Sequence, residues 1–158
     1  MRVLGLDPGI ESFGFGVLEE EGGGIRVLDC GALRTSSHLP VWERLLQLYR
    51  ELKELFLRFK PEEMAIEHFV GRGVRSALEV GEARGVALLV AAELGVPVFE
   101  YHPSKVKEIV AGYGRGSKFQ VQRMIQLQLG LGSAPRPDDA ADALATAFCH
   151  LWERKRKV

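Results

Sequence analysis

Cysteine is scarce in this chain, asparagine is absent, and nowhere do about 18 apolar residues follow one another. The two cysteines, Cys30 and Cys149, sit among apolar neighbours with no C-x-x-C spacing. That pattern speaks against a zinc site and leaves reduced core thiols, as expected of a cytoplasmic protein. Without a long apolar run, no membrane-spanning helix is expected. The chain enters a strand-like M-R-V-L-G-L-D directly, with no signal-peptide pattern before it. Few thermolabile amides beside abundant pairable charge are features of thermophilic proteins. Net charge is missing too, since 21 Lys and Arg balance 21 Asp and Glu. Taken alone, that balance argues against a nucleic-acid partner. Its distribution argues otherwise: residues 1–100 hold 11 Lys and Arg against 16 Asp and Glu, and residues 101–158 hold 10 against 5. If a cation neutralised a few of the acids, the remainder would present a basic working face.

What is present is ordinary globular composition, 46% hydrophobic and 27% charged over 158 residues, enough for one domain with a sizeable core. Residues 1–158 are read as that single domain, with the basic tail 154–158 expected to fray. R-V-L-G-L-D reads as a buried strand. S-F-G-F-G-V-L and I-R-V-L-D-C-G-A-L follow as strands joined by a Gly-rich turn, which predicts a three-stranded antiparallel start. Leu45, Leu48, Leu52, Leu55 and Phe59 recur at helical spacing over residues 39–59, and Pro61 ends that helix. E-E-M-A-I-E is a short strand, and H-F-V-G-R-G-V-R a loop. Residues 75–94 are helical, with Leu78, Gly81, Gly85, Leu88 and Ala92 along a side that a neighbour can approach closely. A strand over 96–101 and helices over 103–111, 118–129 and 138–153 complete the chain, the second of these capped by Ser117. The order β-β-β-α-β-α-β-α-α-α predicts an α/β fold: a five-stranded mixed sheet, three strands antiparallel and two parallel, with helices on both faces.

Four acids stand where such elements begin or end. Asp7 closes the first strand, and Glu67 closes M-A-I-E. Asp139 and Asp142 lie three apart in D-A-A-D-A-L-A, so they share a helix face in the first turn. Each has an ordinary reading as well. Asp-Pro-Gly is a common turn, and Asp138 or Asp139 suits a helix cap. Glu67 at a buried strand end and Asp142 among alanines fit those readings less well, since an unneutralised carboxylate there is costly. Converging, the four would form an oxygen-donor site for Mg²⁺ or Mn²⁺. Such a site supports phosphodiester chemistry.

Basic and aromatic residues lie nearby in sequence. Phe69, Arg72 and Arg75 occupy or flank the Gly-containing loop after Glu67, a composition suited to stacking on an unpaired base. Lys105, Lys107, Arg115, Lys118 and Arg123 either form a solvated face or contact phosphates, with Lys107 and Lys118 flanking a Gly-rich loop. His102 and His150 read as ordinary residues near element ends.

Together L-G-L-D-P-G, A-I-E, S-A-L-E-V-G-E-A-R-G-V-A, P-V-F-E-Y, K-V-K and D-A-A-D-A-L-A, in this order, resemble the RuvC family of Holliday junction resolvases. That family belongs to the ribonuclease H-like superfamily. The resemblance spans essentially the whole chain. It implies a ribonuclease H-like fold and metal-ligating, catalytic carboxylates at Asp7, Glu67, Asp139 and Asp142. It places the DNA-facing lysines on Lys107 and Lys118 and a branch-point aromatic near Phe69. It further implies a homodimer that makes paired nicks in four-way junction DNA with two Mg²⁺ ions per site, Mn²⁺ substituting, and leaves 5′-phosphate and 3′-hydroxyl ends. Branch-migration proteins are implied as further partners. The loop after Glu67 is a residue shorter than the family pattern, and His68 stands where Gln or Glu is usual, so the stacking residue stays open. So does Asp138 as a rival to Asp139.

Three other readings share features with this one. Actin-like ATPases and sugar kinases begin similarly but need a second, duplicated domain. A YqgF-like nuclease shares the fold without the D-A-A-D-A-L-A helix. A junction-binding protein without catalysis would not need all four carboxylates.

Overall fold

The computed structural model describes residues 1–68, 73–112 and 114–157. Its centre is strand β1 (Arg2–Asp7), whose Val3, Leu4, Gly5 and Leu6 are all buried. A strand apolar on both faces belongs inside a sheet with helices above and below. Antiparallel β2 (Ser12–Glu21) and then β3 (Gly24–Arg34) lie on one side of it. Parallel β4 (Glu63–Glu67) and β5 (Val98–Tyr101) lie on the other, giving the order β3-β2-β1-β4-β5. This is the mixed five-stranded sheet the sequence predicts.

Side chains alternate between the two faces of a strand. Leu4, Leu6, Met64 and Ile66 join one core with α1 (Val41–Phe59) and α2 (Val74–Glu93), including Leu48, Leu52, Phe56 and Val90. Val3 and Ala65 join the other, with α3 (Pro103–Ala111), α4 (Lys118–Gln128) and α5 (Asp138–Lys157). Parity therefore assigns Asp7, two residues beyond Gly5, and Glu67, two beyond Ala65, to the α5 face. In β2 the same face is marked by Gly14, Gly16 and Leu18.

Helix α5 fits that face because both surfaces are stripped of bulk. A Cβ on Gly5 would overlap the Ala143 carbonyl and come within 2.8 Å of the Ala147 Cβ. One on Gly14 would overlap the Asp139 carbonyl, and one on Gly16 would meet Leu144 Cδ2 at 2.6 Å. Gly5 pairs with Gly16 across the ladder, and Asp7 with Gly14. A glycine-floored track thus runs under the alanines of α5. Ala140, Ala141, Ala143, Ala145 and Ala147 are essentially inaccessible to solvent.

The lower end of α5 is held by polar contacts. His150, 1% exposed, bonds through Nδ1 to the Tyr101 hydroxyl at 2.6 Å and through Nε2 to Glu63. It is a buried link between helix and sheet rather than an ordinary helix-end residue. Arg154 pairs with Glu63 as well, and Lys155 reaches Glu20 at 2.5 Å. Helix α5 runs through Lys157, and these acids hold the first two cations of the basic tail.

On the opposite layer, α2 buries Ala83, Ala87, Val90 and Ala91. Of the side expected to pack closely, Leu88 packs against this core, while Leu78, Gly81, Gly85 and Ala92 are exposed. Among the described residues, a Cβ on Gly81 or Gly85 would meet nothing within 4 Å, and Leu78 and Leu89 are 62% and 60% exposed. Cys30 and Cys149 are free thiols, and burial pushes Cys149 up to about 12.

Gly5→Ala is expected to cost about 1–3 kcal/mol, the usual penalty for overfilling a packed contact. Gly132→Ala, whose added Cβ meets open space, is expected to leave the urea midpoint near the wild-type value. Equal midpoints for the two variants would contradict the tight helix–sheet contact.

Candidate active site

Three elements deliver carboxylates to one place. Register pairs Leu6 with Ile66, so Asp7 and Glu67 leave adjacent parallel strands side by side. Opposite them, α5 presents Asp139 and Asp142 one turn apart. One oxygen from each of Asp7, Asp139 and Asp142 lies within 4.8 Å of the others. Glu67 lines the same cleft without belonging to that tight group; the other walls are Pro103, Val106, Lys107, Lys118, Val121, Asp142 and Ala145. Asp138 is exposed and is not in the trio, so the geometry favours Asp139 over its neighbour.

The electrostatics match an acid cluster awaiting a cation. Asp7 is held well above the usual carboxylate range, first by burial, then by Asp142, Asp139 and Glu67, with Lys118 working against them. Glu67 is raised to about 7, again by burial first and then by Asp142, while Lys107 and Lys118 oppose the shift. Burial also raises Asp142, against the nearby Lys118. Lys118 places Nζ 3.1 Å from Asp142 Oδ2. Burial pulls its pKa down, but Asp142, Asp7 and Asp138 outweigh that, and the net shift is upward. One lysine cannot neutralise this many acids. Hard oxygen donors crowded at this separation suit a divalent cation of the Mg²⁺ or Mn²⁺ type.

Local structure explains the placements. Ser117 caps α4, accepting from the Gln120 amide, while the Gln120 side chain accepts from the Ser117 amide. That reciprocal cap fixes Lys118 as the first helical residue, turned toward α5. Ser12 is a site residue the sequence reading missed. Its hydroxyl donates to Asp139 Oδ2 at 2.5 Å, which sets the orientation of that carboxylate. The signal was parity, since Ser12 precedes Gly14 by two on the face that meets α5.

The other expected contact residues divide. Lys107 lies in the cleft. Lys105, two residues away and on another side of α3, is turned to Glu153 at 3.4 Å, and also reaches Glu108 at 3.8 Å. Arg115 and Arg123 are exposed, on the α3–α4 connection and on α4. Arg75 is exposed at the start of α2, 3.3 Å from Glu79. Phe69 and Arg72 lie outside the described residues. His68 reaches Glu100 at 3.1 Å.

The model of one protein family, described as crossover junction endodeoxyribonuclease RuvC, matches residues 3–150. A protein of that name from Chloroflexus aggregans is 54% identical over 153 residues, covering 96% of this chain and 93% of the relative. Among solved structures, Thermus thermophilus RuvC in complex with a Holliday junction substrate superposes with a TM-score of 0.94 at 40% identity, over 99% of this chain and 96% of that one. The yeast mitochondrial Holliday junction resolvase shares the fold, with a TM-score of 0.67 at 17% identity over 98% of this chain and 81% of that one.

A carboxyl with a raised folded-state pKa holds its proton more tightly folded than unfolded. In cation-free protein Glu67 therefore contributes most stability below about pH 4.5, its unperturbed value, and loses it as pH climbs through about 7. Glu67→Gln is expected to raise the cation-free thermal midpoint at pH 8 by a few degrees, with the gain vanishing near pH 4.5. Mg²⁺ is expected to raise the wild-type midpoint more than that of Glu67→Gln. Midpoints that rise with pH in the cation-free wild type, relative to Glu67→Gln, would contradict the assignment.

Proposed function

This chain belongs to the RuvC family of crossover junction endodeoxyribonucleases, and from that premise we propose how its residues cut a four-way DNA junction. The enzyme is a metal-dependent endonuclease acting in Holliday junction resolution. The observation that carries the mechanism is the trio Asp7, Asp139 and Asp142, with one oxygen of each within 4.8 Å of the others, facing Lys118 across the cleft.

Asp7, Asp139 and Asp142 would hold the metal, with Glu67 completing the donor set from the adjacent strand. Two Mg²⁺ ions per site, replaceable by Mn²⁺, would supply a water of lowered pKa and stabilise the leaving 3′ oxygen. Asp7, the most buried acid, anchors the donor set from the sheet. Ser12 holds Asp139 in place, and α5 holds Asp139 and Asp142 one turn apart. Lys118 draws the scissile phosphate toward the acids and compensates the charge it brings. Lys107 offers a second positive charge at the cleft wall. Products would be ends carrying 5′-phosphate and 3′-hydroxyl groups.

Paired, symmetric cutting needs two such sites related by a two-fold axis. The stripe Leu78, Gly81, Gly85 and Leu89 of α2, open to solvent among the described residues, supports a homodimer formed there. Arg115 and Arg123 extend the positive face beyond the cleft. Phe69, Arg72 and Arg75 remain candidates for the branch point. Branch-migration proteins and a cytoplasmic setting belong to the same proposal.

Wild-type protein with Mg²⁺ is expected to nick a synthetic four-way junction in two strands of like polarity. Asp7→Asn should lower the nicking rate by at least about a thousandfold while still binding the junction. Lys118→Ala should cost roughly a hundredfold in rate, the scale for losing one preorganised charge contact. Cutting by Asp7→Asn at the wild-type rate would remove the metal site from the mechanism. Gly85→Arg is expected to yield monomers by sedimentation equilibrium and to uncouple the two nicks; a dimer that persists would place the interface elsewhere.

A further inference from the structure

Phe119 is 74% exposed, although it stands one residue from Lys118, which faces the acid cluster. Consecutive Cα atoms are about 3.8 Å apart, so the two side chains spring from adjacent points on one helix, and a nucleic-acid strand held by Lys118 runs past both. In a helix, adjacent residues point about 100° apart. Phe119 therefore does not enter the cleft but stands at its shoulder.

Its surroundings say what it meets. With Ala111, Gln120, Arg123 and Met124 it lines a separate open cavity of about 210 Å³. Ala111 and Met124 add apolar lining to it, and Gln120 and Arg123 polar lining. Arg123 lies one turn after Phe119 on the same side of α4, and Arg115 is exposed just before the helix. Helix α4 carries two cations, three glutamines besides Gln120 and no carboxylate. The open surface of α4 thus mixes two kinds of group: a cation and amides, Arg123 bonding Gln126 at 3.2 Å, and exposed apolar side chains, Phe119 and, at 58% exposure, Leu127. A phosphate backbone with bases attached is matched on both counts: cations take the phosphates, and the ring takes a base or sugar face.

We propose that Phe119 stacks on a nucleotide immediately beside the cut phosphodiester, with Arg123 holding the next phosphate. This rests on the junction-cutting reading and adds a positioning and specificity contact to it. Lys118 and Phe119 then act as neighbours on one helical turn. One fixes the phosphate at the acids, and the other fixes the adjoining base, which sets how the strand is aligned for cutting. The capping box of Ser117 and Gln120 makes the turn that carries both rigid.

The experiment uses full-length protein and a synthetic four-way junction with 2-aminopurine placed singly at each nucleotide flanking the nick. Binding is measured in the Asp7→Asn background, and cutting in the otherwise wild-type enzyme. Phe119→Ala is expected to weaken junction binding about tenfold and to abolish the fluorescence change at one flanking position. The salt dependence of binding should be unchanged, because no phosphate contact is lost. Phe119→Trp should restore both signals, and Phe119→Leu neither. Arg123→Ala should instead lower the slope of log affinity on log salt by about one. Thermal midpoints of all Phe119 variants should match wild type, since the residue is exposed. If wild type binds and cuts while Phe119→Ala behaves identically, or Phe119→Leu rescues as well as Trp, stacking is refuted. A Phe119→Ala effect confined to the monomer–dimer equilibrium refutes it too and assigns the ring to a protein contact. Failure of wild type to bind the junction refutes the underlying reading instead.

Discussion

The close approach of α5 to β1 and β2 is the contact on which the rest of the structure depends. Helices normally sit above a sheet on an intervening layer of side chains. Here Gly5, Gly14 and Gly16 remove that layer from the sheet, and a run of alanines thins it from the helix. The short Asp139 and Asp142 side chains can consequently reach Asp7. With ordinary side chains in the track, two aspartates on a helix and one on a strand would stand too far apart to share an ion. His150, clamped between Tyr101 and Glu63, fixes the far end of the same helix and so its tilt over the sheet.

That packing creates an electrostatic debt which only a cation settles. Burial and mutual repulsion raise Asp7, Glu67 and Asp142 together, and Lys118 relieves only part of it. The same crowding that makes the cation-free site unfavourable favours a bound cation. Stability and the proposed catalysis would therefore be linked through one cluster. Lys118 belongs to the same cluster, since its ion pair with Asp142 is what positions it over the cleft.

The basic residues show how a neutral chain handles a polyanion. Several cations are spent internally: Lys105 on Glu153, Arg154 on Glu63, Lys155 on Glu20, Arg2 and Arg26 on Glu19. Those around the cleft and along α4 are the ones proposed to meet the DNA. A lysine's place in the sequence therefore did not reveal its task, as Lys105 and Lys107 demonstrate from adjacent sides of one helix.

Much was legible from the chain alone. Strand and helix order followed from periodicity, the acids from their cost at buried element ends, and the family from motif spacing. These are local properties, written in patterns of two and 3.6 residues. What the chain could not reveal is which side chains meet across elements. Ser12 on Asp139, Lys105 on Glu153, the anchoring of the C-terminal turn and the use of His150 all depend on strand register and on the height of α5 above the sheet. So does the place of Glu67, which lines the cleft yet stands outside the tight trio. Sequence determined that four carboxylates exist at buried ends; tertiary structure decided that three share one point in space. The physical reason is that glycine's missing side chain acts only when another backbone occupies the space it leaves.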